Sequence, residues 1–375
     1  IQQIIYSKSK VHMEQSTYCS LATSGWDDGS KSICCFAKLP RYKSFTEMHQ
    51  SEEVKRLKHD LTNGVRNSIC KVCWDTEDSG LLSMRQQSLE NEGKEKTAKD
   101  ISNEITQNKL KYLIFNTGTK CNFACRTCGP WSSTGHAKEW EARYGEKFNA
   151  EESSVDDLLQ QDLSHVKKVE VLGGEPFVNL EHLKIIEKIK DSDPYWLTYT
   201  TNGSIRLKQD IIDRFKHFKA INISLSIDAI GKQFEYIRTL GKWDKVESNI
   251  DFLLDLKRQY PQLSVNCHIT ISVLNILYMR QLLDWCDSKN LNYDFTYAYD
   301  PKEYSFDILK EDEKFKVIDE LESDNRTKAI SSYISKSIFD KQARQKFINS
   351  IAFTDQYHSL GIKHYLPRLS ELVKI

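Results

Sequence analysis

The chain has 375 residues, of which 39% are hydrophobic and 11% aromatic, enough to bury a sizeable core. Its 53 basic and 53 acidic residues cancel, which argues against an electrostatic grip of the whole chain on nucleic acid or on an anionic membrane. No apolar run approaches the roughly 20 residues that a membrane-spanning helix needs. The sequence therefore predicts a soluble protein whose partners are neither membranes nor nucleic acids.

The chain carries 10 cysteines, and most of them lie in tight groups within its first third. Disulfide frameworks are typical of short secreted chains that cannot build a core, and this chain is long. Grouped thiols in a long chain favour metal ligation instead. The cysteine pattern therefore predicts one or more metal centres.

Residues 1–90 hold five cysteines within turn-rich, weakly periodic sequence: Cys19, Cys34, Cys35, Cys70 and Cys73. Two pairs of thiolates at such spacings fit a small zinc ribbon, and zinc is one reading of this region. Residues 91–109 are charged and polar, and they predict a linker or an exposed helix.

From residue 110 the pattern changes to short apolar strands that alternate with amphipathic helices. This alternation predicts βαβ units and a parallel sheet over residues 110–300. Six strands fit an α/β fold of the (β/α)6 partial TIM barrel type, with a doubly wound sheet as the alternative, and either fold places its site at the carboxyl ends of the strands. Residues 301–375 predict a helical extension that caps the barrel or binds a partner. The predicted strands are 111–116, 167–172, 195–200, 222–227, 263–273 and 293–298, and the predicted helices are 180–191, 207–218, 245–259 and 276–289.

Directly after the first of these strands, Cys121, Cys125 and Cys128 follow one another with the spacing C-x3-C-x2-C. Zinc prefers four closed ligands, or three ligands and a water with histidine usually among them. A redox pair would explain Cys125 and Cys128 but would leave Cys121 unused. A [4Fe–4S] cluster held by three thiolates leaves one iron free for a ligand that is not protein.

This spacing, in the loop after the first strand of a βα repeat, resembles the radical S-adenosylmethionine (SAM) superfamily. Three further segments match in order: "LGGEP" (172–176), "TTNGS" (200–204) and "SLSID" (224–228). The resemblance implies that the open iron binds SAM and that a 5′-deoxyadenosyl radical takes hydrogen from a substrate. Thr127 departs from the family, which usually has an aromatic residue before the last cysteine. The SAM-binding residues that the resemblance implies are Gly173, Gly174, Glu175, Pro176, Asn202, Ser226, Asp228 and Val273.

The N-terminal cysteines also resemble a family pattern. Cys19 and Cys34 flank Gly29 with the spacing C-x9-G-x4-C, which is similar to the SPASM and twitch auxiliary domains of radical SAM enzymes. The resemblance implies a second [4Fe–4S] cluster held by Cys19, Cys34, Cys70 and Cys73, with zinc as the alternative metal and Cys35 as a competitor of Cys34. Relatives generally carry this domain after the barrel, whereas here it precedes it.

Two residues on the fifth predicted strand are candidates for the chemistry that follows hydrogen abstraction. His268 lies on its polar face and could bind substrate or move a proton, and Cys267 lies on its apolar face and could donate hydrogen. The resemblance favours a peptide or protein residue as substrate, with a small carbohydrate-like molecule as the alternative, or a non-catalytic cluster-binding protein as a third possibility. It also implies an electron donor such as flavodoxin or ferredoxin. Low-potential cluster chemistry predicts a cytoplasmic location.

Overall fold

The structure is a computed structural model that describes residues 17–27, 31–34, 36–37, 39–40, 42–78, 83–91, 103, 109–148 and 155–375. The chain divides into two compact units. The first comprises Ile1–Asn116, Ser153–Glu170 and Lys184–Tyr195, and the second comprises Thr117–Glu152, Val171–Leu183 and Trp196–Ile375. The linker predicted at 91–109 lies almost wholly outside the described residues, and the predicted domain boundaries remain a prediction.

The first unit begins its sheet with a hairpin. Strand β1 (Ser24–Asp27) pairs antiparallel with β2 (Lys31–Ser32), and it pairs in parallel with β3 (Tyr112–Asn116). Gly29, at the predicted turn between β1 and β2, lies outside the described residues. The first residues of β4 (Lys168–Leu172) also belong to this unit.

The N-terminal region is more helical than its turn-rich sequence predicts. Ser44 and Ser51 each accept a hydrogen bond from the backbone N–H three residues on, which is the arrangement of a helix N-cap. The helices they start are short, so each contributes only a few buried residues and a weak periodic signal. The described helices of this region are Phe45–Gln50, Glu52–Thr62, Lys71–Asp78 and Met84–Asn91, with short 3-10 turns at Ser20–Thr23 and Ser68–Cys70.

The second unit contains the end of β4 and four parallel strands that neighbour one another in chain order: β5 (Trp196–Thr201), β6 (Ala220–Ser226), β7 (Leu263–Ile271) and β8 (Asn292–Tyr297). The predicted α/β class and parallel sheet are confirmed, with shifts of a few residues at the strand ends. Along the chain from β3 to β8, the helices between the strands are Ala137–Tyr144, Val155–Leu159, His182–Ile189, Gln209–Ile212, Gly231–Ile237, Trp243–Gln259 and Met279–Ser288. Of these, Val155–Leu159 and most of His182–Ile189 belong to the first unit.

The strands of the second unit have two chemically different faces, because successive side chains of a strand point to opposite sides. Apolar residues such as Ile223, Leu225 and Ile269 are fully buried, and helix Trp243–Gln259 packs against β7. The opposite side carries small polar residues in the carboxyl-terminal halves of the strands. We call this side the polar face; its members are Thr200, Ser224, Ser226, Asn266, His268, Thr270, Asp294 and Thr296.

The residues from 301 onward are largely helical and belong to the second unit, and their separation as an extension stays a prediction. Arg344 ties it together, because its guanidinium donates to both carboxylate oxygens of Glu313 at 2.6 and 2.9 Å and to the carbonyl of Val373 at 2.8 Å. Within the described residues, no helix combines the length and the apolarity needed to cross a bilayer. The helices of the extension are Glu311–Glu322, Lys328–Ser335, Lys341–His358, Ile362–Tyr365 and Pro367–Val373.

Candidate active site

The three clustered cysteines lie on residues 117–136, which follow β3 and which we call the cysteine loop. The loop has almost no regular structure, so its backbone groups need partners elsewhere. The N–H groups of Ala124 and Arg126 donate to the carbonyls of Thr239 and Ile237, each at 2.9 Å. These two hydrogen bonds therefore join the cysteine loop to the residues at the end of helix Gly231–Ile237 and just after it.

A buried arginine anchors the middle of this loop between two of the cysteines. The side chain of Arg126 is fully buried, and its guanidinium lies 3.6 Å from the ring centroid of Tyr236. Its Nε donates to the Tyr236 carbonyl at 2.9 Å, and one Nη donates to the Asp355 carboxylate at 2.5 Å. Asp355 lies on helix Lys341–His358, so the C-terminal extension holds the cysteine loop in place.

A backbone N–H and a guanidinium lie close to two of the three thiols. The backbone N–H of Phe123 lies 3.4 Å from Cys121 Sγ, and Arg238 Nη1 lies 3.9 Å from Cys125 Sγ. Burial raises the pKa of the Cys125 and Cys128 thiols, and the Arg238 guanidinium opposes that rise for both. Donors and a cation at sulfur favour thiolates, which is the form that ligates metal.

The "GGE" segment packs directly on the cysteine loop. The N–H groups of Gly174 and Glu175 donate to the carbonyls of Gly118 and Lys120 at 2.8 and 2.9 Å. A Cβ at position 174 would lie 2.5 Å from the Lys120 carbonyl oxygen, which is closer than real Cβ atoms come. Gly173 has a φ of 134°, a conformation that favours glycine. The sequence suggested that these glycines admit a ligand, but at Gly174 it is the cysteine loop itself that approaches.

Glu175 is fully buried and already well satisfied. Its carboxylate accepts hydrogen bonds from Thr201 Oγ1 at 2.8 Å, from the Asn202 N–H at 2.7 Å and from the Phe177 N–H at 3.1 Å. Burial raises the pKa of Glu175, and these donors oppose the rise. The resemblance implied Glu175 as a SAM-binding residue, whereas in the structure its carboxylate braces the end of β4 against the end of β5. Pro176, beside it, is also buried.

The turn after β5 closes over the first cysteine. Asn202 Nδ2 donates to Asn122 Oδ1 at 3.0 Å and lies 3.9 Å from Cys121 Sγ. Its Oδ1 accepts from the Ser204 N–H at 2.9 Å, and Asn122 in turn donates to the Ser204 hydroxyl at 2.8 Å. The predicted Asn202 therefore lies beside the cysteines, while Thr127 is half-buried and supplies no ring.

A buried ion pair lies at the carboxyl end of β6. Asp228 Oδ2 bonds Arg238 at 2.8 Å, and its Oδ1 accepts from the Thr270 N–H at 2.8 Å. Ser226, the other predicted residue of this strand, is half-buried on the polar face. Arg238 was not among the site residues predicted from the sequence, because nothing in its local sequence indicates that the fold brings it to the thiols. Its Nε has no hydrogen-bond partner among the described residues.

The predicted site residues on and just after β7 lie in different surroundings. His268 lies on the polar face and bonds Asp294 on β8. Cys267 is fully buried on the opposite face, hydrogen-bonded to Cys286, so its thiol has no path to a substrate on the polar face. Val273 is fully buried, and its N–H donates to the Tyr304 carbonyl at 3.0 Å.

The N-terminal cysteines come together within the first unit. Cys19, Cys34, Cys70 and Cys73 line one small cavity whose other walls are mostly apolar. The pKa of Cys19 is raised to about 12, mainly by burial and to a smaller extent by the negative charge of Cys34. Cys35 lies outside the described residues, so the structure does not compare it with Cys34.

A buried arginine also accompanies these four thiols. Arg85 bonds both carboxylate oxygens of Glu77 at 2.8 and 2.9 Å, and it donates to the Tyr18 carbonyl at 2.8 Å. Its charge opposes the rise that burial causes in the pKa of Cys70 and Cys73. The donor set fits an iron–sulfur cluster, whose thiolates bind different irons. Over the described ranges, no three His, Cys, Asp or Glu side chains form a group that could hold one metal ion.

Comparisons with known proteins give one family match and several distant relatives. A family model described as "Radical SAM superfamily" matches residues 115–286. A GTP 3′,8-cyclase of Haemophilus influenzae is 25% identical over 200 residues, which cover 50% of this chain and 53% of that protein. A probable GTP 3′,8-cyclase of Methanococcus maripaludis is 28% identical over 145 residues, covering 36% of this chain and 43% of that protein. The chain thus spans about half the length of the first of these curated relatives.

Solved structures are more distant. "Native anSMEcpe with bound AdoMet" is 17% identical with a TM-score of 0.41, and the match covers 57% of this chain and 60% of that one. The same protein "with bound AdoMet and Cp18Cys peptide" is 18% identical with a TM-score of 0.38, over the same shares of the two chains.

The close approach at Gly174 can be tested by adding one methyl group. Gly174→Ala should lower the free energy of unfolding by about 1–3 kcal/mol, because the new Cβ forces the cysteine loop away. Gly361→Ala is the matched control, since its Cβ would meet nothing within 4 Å and its φ is −155°. Urea unfolding of both variants measures the difference. Equal stabilities would contradict the packing described for the loop.

Proposed function

We propose that this chain, whose residues 115–286 match the radical SAM family model, is a member of that superfamily, binds a [4Fe–4S] cluster through Cys121, Cys125 and Cys128 and cleaves SAM reductively. The cluster, when bound, supplies the electron that releases a 5′-deoxyadenosyl radical from SAM. The observation that carries this proposal is the set of three thiols on one braced loop, with Arg238 Nη1 3.9 Å from Cys125 Sγ. Three thiolates leave the fourth iron open for SAM.

In this proposal, some residues of the chain bind SAM and others hold those residues in position. Gly173 and Gly174 offer backbone at the end of β4, and Asn202 lies at the end of β5. Ser226 offers a hydroxyl on the polar face, and Asp228 keeps the Arg238 guanidinium in place beside the thiols. Pro176 and Val273 complete the walls, with Glu175 as a positioning residue that bonds three internal donors.

We assign the N-terminal cysteines to an auxiliary [4Fe–4S] cluster of twitch or SPASM type. Four thiols that share one cavity support this assignment. Four thiolates would leave no open iron, so this cluster would accept an electron rather than bind substrate. Zinc is the alternative metal, because it too accepts four thiolates.

The hydrogen abstracted by the radical comes from one of two kinds of substrate. A peptide or protein residue, which would be oxidised, crosslinked or epimerised, is one candidate. A small carbohydrate-like molecule is the other, and the polar face favours it because that surface offers hydroxyls, amides and an imidazole rather than apolar packing. Flavodoxin or ferredoxin is the proposed electron donor, and the need for a low potential favours the cytoplasm.

Replacement of the three loop cysteines tests the proposal. The protein, reconstituted anaerobically with iron and sulfide and then supplied with reductant and SAM, should form 5′-deoxyadenosine. The Cys121→Ala/Cys125→Ala/Cys128→Ala variant should form none, because no thiolate remains to hold the cluster. Cys286→Ala, which removes a buried thiol outside both groups, is the control. A wild-type protein that holds iron but forms no 5′-deoxyadenosine would contradict the proposal.

The metal content of the protein distinguishes an auxiliary [4Fe–4S] cluster at the N-terminal cysteines from a zinc site there. Two [4Fe–4S] clusters require about eight irons per chain, whereas one cluster and a zinc site require about four irons and one zinc. The Cys70→Ala/Cys73→Ala variant should lose about four irons and keep SAM cleavage. Metal analysis of both proteins measures this. An unchanged iron content in the variant would remove the auxiliary cluster from the account.

Arg238 should tune the cluster electrostatically. Arg238→Gln removes a buried positive charge beside Cys125, so the cluster should become harder to reduce and its midpoint potential more negative. Arg206→Gln, at an exposed arginine, is the control. Potentiometric titration followed by electron paramagnetic resonance measures both. An Arg238→Gln cluster that is retained at an unchanged potential would show that the guanidinium has no such role.

A further inference from the structure

One ionisable pair on the polar face has no part in holding the cysteine loop. His268 Nδ1 and Asp294 Oδ1 form a hydrogen bond, and the strand register sets the two residues opposite each other on β7 and β8. Asn266 Nδ2 donates to the other oxygen of Asp294 at 2.9 Å. The carboxylate is thus fixed from two sides, and it holds the imidazole in one orientation.

The remaining ring nitrogen is available to another molecule. Because Nδ1 donates to Asp294, Nε2 of the neutral ring carries a lone pair, and its one protein contact among the described residues is the Thr296 hydroxyl at 3.3 Å. The His268 side chain is 31% exposed and that of Asp294 is 56% exposed, so the pair is open rather than sealed in a core. This is the arrangement of a base whose orientation a carboxylate fixes.

The pair lies next to the proposed SAM site. His268 is in register with Ser226 on β6, and Asp228 follows Ser226 by two residues. The N–H of Thr270, two residues beyond His268, donates to the Asp228 carboxylate at 2.8 Å. A substrate that reaches a radical formed near the end of β6 would therefore lie against the polar face and its imidazole.

The neighbours of the pair are also polar. Ser224, Ser226, Thr270 and Thr296 contribute hydroxyls to the same face, and Asn266 Oδ1 is buried with no hydrogen-bond partner in the described parts of the chain. A buried polar atom without a partner costs free energy, so a bound ligand that donates to it would be favoured. The chemistry of this surface matches a molecule rich in hydroxyl groups.

We propose that His268, oriented by Asp294, accepts a proton from a hydroxyl of the substrate, and that the substrate is accordingly a small polyhydroxylated molecule. This inference rests on the proposed function and names the substrate class of the same site. After hydrogen is taken from a carbon that bears a hydroxyl, that hydroxyl becomes more acidic. Its O–H bond breaks, an Nε2–H bond forms, and the unpaired electron stays on the substrate.

The charges around His268 define how the step should depend on pH. Burial lowers the pKa of His268, but the hydrogen bond and charge of Asp294, together with the charge of Asp228, outweigh burial and raise it, while Arg238 opposes them. A base must be neutral to accept a proton, so conversion should rise as the pH rises through the pKa of His268. Removing the Asp294 charge should lower that pKa and move the rise to lower pH.

The experiment uses the reconstituted full chain with reductant, SAM and metabolites from cells grown in deuterated medium. The small-molecule fraction should place deuterium in 5′-deoxyadenosine, and mass spectrometry then identifies the donor and follows its conversion. His268→Gln should lower conversion by about 100-fold or more, while SAM cleavage without substrate stays within about twofold. Asp294→Asn should lower conversion less than His268→Gln does, and it should move the rise in conversion to lower pH. Ser264→Ala, at the opposite end of β7, should change neither.

Each contrary result would overturn one part of this proposal. If SAM cleavage is intact but the small-molecule fraction delivers no deuterium, the substrate class is wrong. If His268→Gln converts the donor at the wild-type rate, or if Asp294→Asn leaves the pH profile unmoved, the pair only stabilises the two strands. If the wild-type protein forms no 5′-deoxyadenosine, the proposed function fails and this inference fails with it.

Discussion

The position of the cysteine loop depends on backbone hydrogen bonds that the loop cannot make with itself. Residues 117–136 contain three thiols but almost no regular structure, so several of their backbone N–H and carbonyl groups pair with other segments. The "GGE" strand end and the residues after helix Gly231–Ile237 supply these partners. Gly174 and Glu175 thus help to build the surface on which the cysteines lie.

A buried arginine accompanies each of the two predicted metal-binding cysteine groups. Arg238 accompanies the loop cysteines and is paired with Asp228, and Arg85 accompanies the N-terminal cysteines and is paired with Glu77. A buried guanidinium without a carboxylate would be costly, and a group of buried thiolates without a cation would be costly too. In each unit the carboxylate fixes the arginine, and the arginine favours the charged form of sulfur. Arg126 has a different part, since it ties the loop to Asp355 on the C-terminal extension.

The sequence predicted well those features whose signals are local. The alternation after residue 110 predicted β3 to β8 within a few residues, and the cysteine spacing with "GGEP" predicted the family whose model matches residues 115–286. The four N-terminal cysteines line one cavity, and the metal cluster predicted for them stays a prediction. The short N-terminal helices were missed because each buries too few residues to show a period.

The features that the sequence could not supply depend on contacts between distant residues. Arg126 bonds a residue 229 positions away, and Arg238 reaches a cysteine 113 positions before it. His268 was a candidate from strand parity alone, whereas its partner Asp294 requires the register of β7 and β8. Glu175 was expected to face a ligand, and only the three donors at its carboxylate show that it braces two strands.

The central claim is that three thiolates leave one iron open and that SAM binds there. Mössbauer spectroscopy of the protein reconstituted with 57Fe, recorded with and without SAM, tests it most directly. The account predicts that the signal of one iron changes when SAM is added, and that this change is absent when the three loop cysteines are replaced. Spectra that are identical with and without SAM, in a protein that carries the cluster, would contradict the account.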